Sequence, residues 1–125
     1  MPIITKAHFD DKSFLLAHAS PKGDISKYLN KNEIASEIDD VIAEYILVGH
    51  THVQYKLKLE YNLIVNPGSV GLARDGGQAC YAVYDNGVIT LKRIDYNKKK
   101  TISDLKKAPL PENIISGLVK VLLHK

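Results

Sequence analysis

Three short runs, Phe14-Leu15-Leu16-Ala17, Tyr45-Ile46-Leu47-Val48 and Leu63-Ile64-Val65, are apolar without interruption. Runs of this length bounded by turn residues read as strands, and a strand with no polar alternation needs both of its faces covered. Each run then stops in loop chemistry: His18 with Ala19-Ser20-Pro21, Gly49-His50-Thr51-His52, and Asn66-Pro67-Gly68-Ser69-Val70-Gly71. Asn66 precedes a proline, which disfavours helix there, and Gly68 and Gly71 permit backbone angles closed to other residues. Loops leaving buried strands, one with paired histidines and one rich in glycine, are common places for a site.

The remaining elements follow from periodicity. Residues 3–9 and 13–17 flank Asp10-Asp11-Lys12 and predict a hairpin whose second strand is the first buried run. From Asn32, an expected N-cap, apolar residues at Ile34, Ile38, Val41, Ile42 and Tyr45 have helical spacing, with Glu37, Asp39, Asp40 and Glu44 on the other side. A crossover through such a helix would set the Phe14 and Tyr45 strands side by side in parallel, so that His18 and the His50 loop share one rim of the sheet. Further strands are expected over residues 54–59 and 63–65. Residues 79–84 and 88–94 make a hairpin across Asp85-Asn86-Gly87. Ile102 with Leu105, and Ile114, Leu118, Val121 and Leu122 beyond the Pro109/Pro111 break, read as two short packing helices.

With 125 residues, 45% of them apolar and 25% charged, the chain has material for one core, and a single domain over residues 1–125 is expected. No apolar run approaches the ~20 residues of a membrane span, and residues 6–11 interrupt any signal-peptide core, so a cytoplasmic location is the default expectation. Cys80 has no partner for an internal disulfide, and its strand setting reads as a buried structural thiol. The net charge is +3. Lysines thicken towards the C-terminal third, but Asp95 and Asp104 interleave them and only Tyr96 offers stacking, so they read as a solvated helix face rather than a nucleic-acid surface. His8 and His124 are assigned to solvent.

Two histidines spaced by one residue cannot share a helix face. At an extended strand end both rings would project to the same side and reach one ion or two adjacent ions, with His18 as a third ligand on the same rim. Imidazole suits zinc, manganese, iron or nickel when carboxylates complete the shell. The same pair also arises as exposed or core-satisfied histidines, and spacing alone leaves both readings open.

The segment Ile46-Leu47-Val48-Gly49-His50-Thr51-His52, then Leu63-Ile64-Val65-Asn66-Pro67-Gly68-Ser69-Val70-Gly71 and Arg74-Asp75-Gly76, resembles the C-terminal half of a calcineurin-like metallophosphoesterase of the small bacterial and archaeal phosphodiesterase type. Leu15-Leu16-Ala17-His18-Ala19-Ser20-Pro21 is similar to the histidine-glycine-serine-proline stretch upstream of it in that family. The resemblance implies an α/β (α+β) fold: the C-terminal half of a four-layer αββα sandwich, with a mixed sheet and flanking helices. It implies two divalent metal ions (Mn, Zn, Fe or Ni) and hydrolysis of phosphate esters by a metal-activated hydroxide. His18 and His50 would bind one metal and His52 the other, while Gly49, Asn66, Gly68 and Ser69 would form and support the loop. Arg74 would meet the substrate phosphate or, alternatively, make a surface salt bridge.

The family's aspartate-X-histidine, glycine-aspartate-X-X-aspartate and glycine-asparagine-histidine-aspartate motifs are absent from this chain; Gly23-Asp24-Ile25-Ser26-Lys27 ends in lysine where the second has aspartate. The chain is therefore expected to be a partial domain with three ligands and no bridging carboxylate. Two functions are compatible with that: part of a phosphoesterase, or a truncated, catalytically inactive module that binds a partner or self-associates. Removing half of a two-sheet sandwich uncovers apolar surface, which a second copy or a complementary N-terminal fragment would cover.

Overall fold

The computed structural model describes residues 3–124. Strands β1 (Ile4–Phe9) and β2 (Lys12–Ala17) form an antiparallel hairpin turned by Asp10 and Asp11, whose φ values of 50° and 57° suit a tight two-residue turn. β3 (Tyr45–Leu47) lies parallel to β2, β5 (Leu63–Asn66) parallel to β3, and β4 (Tyr55–Lys58) antiparallel to β5. The five-stranded mixed sheet has the order β1-β2-β3-β5-β4. A separate hairpin of β6 (Ala79–Asp85) and β7 (Val88–Ile94) turns at Asn86 and Gly87, both with positive φ. Helices α1 (Lys98–Leu105) and α2 (Glu112–Leu122) end the chain; the Asn97 side chain caps α1 and α2 starts after Pro111.

The register explains the uninterrupted apolar runs. Leu15, Ile46 and Ile64 stand side by side on one face and are covered by Leu29, Ile34 and Ile38 from the β2–β3 connection. On the other face Phe14, Tyr45 and Val65 meet Ile89, Ala82, Tyr84 and Leu91 of the β6–β7 hairpin. Phe14 stacks on Tyr45 at 4.7 Å between ring centroids. Ile46, Ile64 and Val65 are fully buried, so the centre of the sheet is apolar on both sides.

The long helix from Asn32 does not form. Only a 3-10 turn, Ile34–Glu37, is present, and residues 38–44 are irregular. Asn32 caps nothing; the side chain of Asn30 accepts from the backbone N–H of Asn32 and Glu33 instead. The reason lies in the sheet. Glu44 N–H donates to Ser13 at its carbonyl and its hydroxyl oxygen, which starts the β3 pairing and takes Tyr45 out of any helix. Ile34 and Ile38 keep their core places while Ile42 is left 91% exposed, so the helical stripe is not realised. β-branched residues and the Asp39-Asp40 pair add little helix preference to resist this.

Candidate functional site

Because β2 and β3 run parallel, they release their chains at one edge, and His18 and the His50 loop meet there. Gly49 N–H donates to the His18 carbonyl at 2.9 Å. A Cβ at position 49 would stand 3.2 Å from that same carbonyl, so a larger residue would force the two exits apart. His18 Nε2 and His50 Nδ1 are 3.0 Å apart, with the rings edge-to-face.

The histidine loop is not extended, contrary to expectation. His50 and His52 have φ of 65° and 59°, the left-handed region that non-glycine residues enter only where surroundings impose it. The turn separates the two rings' environments. His50 faces His18, whereas His52 Nδ1 lies 3.1 Å from the carbonyl of Leu72. A carbonyl only accepts, so Nδ1 carries a hydrogen, and in the neutral ring the lone pair is then on Nε2. Among the described residues, no group of three or more His, Cys, Asp or Glu side chains gathers in a metal-holding arrangement.

Behind the loop stands Asn66, fully buried at the end of β5. Its amide donates to the Gly49 carbonyl (2.9 Å) and to Thr51 Oγ1 (3.0 Å), and its Oδ1 accepts from Gly68 N–H (2.9 Å). Ser69 Oγ accepts from Leu72 N–H, which aims the Leu72 carbonyl at His52, and the Ser69 carbonyl accepts from Cys80 N–H of β6. Arg74 N–H donates to the His52 carbonyl. The Arg74 side chain is exposed, its guanidinium 6.0 Å from the Tyr28 ring centroid, and among the described residues it makes no ion pair. Cys80 is buried, and burial pushes its thiol pKa up, which leaves it protonated and unreactive.

Three supporting residues were not singled out as such from the sequence. Tyr28 donates its hydroxyl to the Thr51 carbonyl and packs its ring edge-on to His50. Asp75 accepts from Gln54 N–H at 2.8 Å and from Arg93 at 2.6 Å, tying the histidine loop to β7. Glu37 accepts from Ser20 and Lys27 under the His18 loop. Only the Arg74-Asp75-Gly76 motif hinted at any of them; the partners come from distant segments whose approach is tertiary.

The Lys27 ammonium, then the Ser20 hydroxyl, holds the Glu37 carboxyl below its ordinary pKa. A depressed folded-state value gives stability that is present above the unfolded carboxyl's pKa and lost as pH falls through the folded one. We expect Glu37→Gln to remove part of the acid-side loss of stability below about pH 4.3. Urea midpoints collected from pH 6 to pH 3 test this, and parallel profiles for variant and wild type would contradict it.

Known proteins resemble this chain in sequence and shape. A family model described as the calcineurin-like phosphoesterase superfamily domain matches residues 3–87. The uncharacterized protein MJ0912 of Methanocaldococcus jannaschii is 32% identical over 90% of this chain and 53% of its own length. A metallophosphoesterase from Sphaerobacter thermophilus superposes with a TM-score of 0.75 at 26% identity, covering 94% of this chain and 57% of that one. The hypothetical protein PH1004 of Pyrococcus horikoshii shares the fold, with a TM-score of 0.76 at 22% identity over 98% of this chain and 50% of its own. The mixed sheet with flanking helices is thus the architecture found in metallophosphoesterases, and the chain spans about half the length of the relatives it matches.

Proposed function

Because the chain belongs to the calcineurin-like phosphoesterase superfamily, we propose that it is the histidine-bearing part of a metal-dependent phosphoesterase, incomplete as an enzyme without the aspartate and asparagine ligands it lacks. The observation that carries this reading is the pair His18 Nε2 and His50 Nδ1 at 3.0 Å on the sheet rim. Zinc–imidazole bonds of about 2.0–2.1 Å put two nitrogens on one ion about 3.0–3.4 Å apart, so the pair fits a shared cation in place of a shared proton. His52 fits as a further ligand: its Nδ1–H is held by a carbonyl and its Nε2 is free to donate, the arrangement that orients most metal-binding imidazoles.

Divalent metal (manganese, zinc, iron or nickel) would supply Lewis-acid polarisation of a phosphoryl oxygen and acidify a water. The chain's own residues prepare for that. Asn66 fixes the backbone of Gly49 and the hydroxyl of Thr51, so the His50 ring is aimed before any ligand arrives. Ser69 and Leu72 set the His52 tautomer. Arg74, unpaired among the described residues and bonded through its backbone to His52, would offer the phosphate of an ester a guanidinium suited to two oxygens at once.

Isothermal titration of the chain with Mn²⁺ or Zn²⁺ tests the reading. Wild type is expected to bind, and His50→Ala to weaken binding at least tenfold, with a smaller effect from His18→Ala. Equal metal content in wild type and His50→Ala would overturn it.

A second reading is a catalytically inactive module that binds a partner or self-associates. It is favoured by the outer face of the β6–β7 hairpin, where Tyr81, Val83, Val88 and Ile94 share one side and are 40%, 41%, 60% and 55% exposed. An unpaired two-stranded sheet with apolar residues on both faces is a surface that soluble chains cover. Either a complementary N-terminal portion or a second copy would do so. Light scattering that shows a monomer at tens of micromolar (an order-of-magnitude choice for patches of this size) would count against self-association.

A further inference from the structure

Helix α2 brings further basic side chains beside the histidine rim. Arg74, Lys120, Val121 and His124 line an open groove of about 400 Å³. Its floor is set by close backbone packing rather than by a loose tail. Gly76 and Gly77 both have positive φ (143° and 67°), and a Cβ at position 77 would stand 3.2 Å from the Leu122 carbonyl, 3.0 Å from Lys98 Nζ and 3.5 Å from His124 Cβ. Leu122 is 3% exposed and anchors the end of α2 against this loop. The last-turn carbonyls of Val119 and Val121 already accept from Leu123 and His124 N–H, so the helix end does not need these basic side chains to satisfy it.

Among the described residues, the basic side chains of this groove have no acidic counterpart. Among the described residues, no carboxylate comes within ion-pair distance of Arg74, Lys98, Lys120 or His124. Asp75, the acidic neighbour in sequence, is taken by Arg93 at 2.6 Å and by Gln54 N–H. Like charges held together by the fold repel, and an anion placed among them relieves the repulsion.

We propose that this groove binds a compact oxyanion, a phosphoryl group, that the substrate carries in addition to the ester group presented to the histidines. Arg74 joins the two places: its backbone is bonded to His52, and its guanidinium lies over Tyr28, whose ring packs on His50. The substrate class is then a phosphate ester with a second phosphate on its alcohol or nucleotide part. In assigning the anion to a substrate the proposal rests on the phosphoesterase reading; in assigning an anion to the groove it does not.

The test uses the full chain free of metal, titrated with inorganic phosphate and with pyrophosphate while backbone amides are followed by NMR. Saturable shifts are expected at Arg74, Lys120 and His124, with binding weakened at least fivefold by Lys120→Gln and unchanged by Lys6→Gln on the distant edge strand β1. Lys120 is exposed on a helix surface, so the variant keeps its fold, and unchanged amide dispersion verifies that. Absence of saturable shifts at these residues, or equal weakening by both lysine variants, would overturn the proposal, the latter by showing only diffuse surface charge. Repeating the titration on His50→Ala separates the two readings. Groove binding that persists in this variant supports the groove even where metal binding fails, and phosphate binding that needs both metal and His50 overturns it while leaving the metal centre intact.

Discussion

Replacing Asn66 by alanine is expected to destabilise the chain by about 3–4 kcal/mol, a large part of the 5–15 kcal/mol that holds a domain of this kind together. The side chain is fully buried and serves three groups at once: the Gly49 carbonyl, the Thr51 hydroxyl and the Gly68 N–H. In the variant Gly68 N–H loses its partner, the Gly49 carbonyl keeps only Thr51 N–H and the Thr51 hydroxyl only Val53 N–H, and Thr51 is itself only 2% exposed, so water cannot replace the lost bond there without entering the core. Asn66→Asp keeps the acceptor for Gly68 but loses the donor and buries a charge, so it should be at least as damaging. Urea unfolding followed by circular dichroism measures both variants. A loss below 1 kcal/mol for Asn66→Ala would mean that the histidine loop is not held from β5.

Gly68→Ala is expected to lower the melting temperature by an amount of order 10 °C, from a loss of about 2–4 kcal/mol. Two causes act together. The backbone at position 68 has φ of +81°, which costs a residue with a Cβ roughly 1–2 kcal/mol. That Cβ would also lie 2.7 Å from the Cβ of Cys80, closer than such atoms pack, and 3.2 Å from that of Gln54, a tight contact. Relief by movement would pull Cys80 away from Ser69, whose carbonyl its N–H bonds, and would loosen the loop that sets the His52 tautomer. The double variant Gly68→Ala/Cys80→Gly should recover the share due to the Cys80 collision and keep the share due to φ. If it melts no higher than the single variant, crowding is not the cause.

These two positions sit in a motif that could be read from the chain, but their partners could not. Asn-Pro-Gly-Ser after an apolar run announces a turn with special backbone angles; it does not say that Asn66 reaches from the end of β5 to Gly49 beyond the neighbouring β3, or that Cys80 occupies the space behind Gly68. Local pattern and final structure differ most between Asn32 and Tyr45. There the helical spacing is real, but hydrogen bonds from Glu44 N–H to Ser13 hold the chain in the sheet instead of a helix. Local pattern lost to a long-range pairing, as it does whenever a segment's preference is weak and a sheet edge stands open beside it.

The apolar runs at Phe14–Ala17, Tyr45–Val48 and Leu63–Val65 pointed to interior strands with loops leaving their ends, because a sheet covered on both faces can bury such runs; β2, β3 (Tyr45–Leu47) and β5 lie there. Turn chemistry likewise located both hairpins at Asp10-Asp11-Lys12 and Asp85-Asn86-Gly87, although Lys12 and Asp85 belong to the strands and the turns are the two-residue Asp10-Asp11 and Asn86-Gly87, all with positive φ. Tertiary structure alone decided which histidines touch. The parallel alignment of β2 and β3 brings His18 to 3.0 Å from His50, while the left-handed turn at positions 50 and 52 directs the third ring to the Leu72 carbonyl. Spacing in a sequence says how far two side chains are apart along the chain; their direction comes from backbone angles imposed by Asn66, Ser69 and Asp75, none of which is a neighbour of the histidines until the sheet has formed.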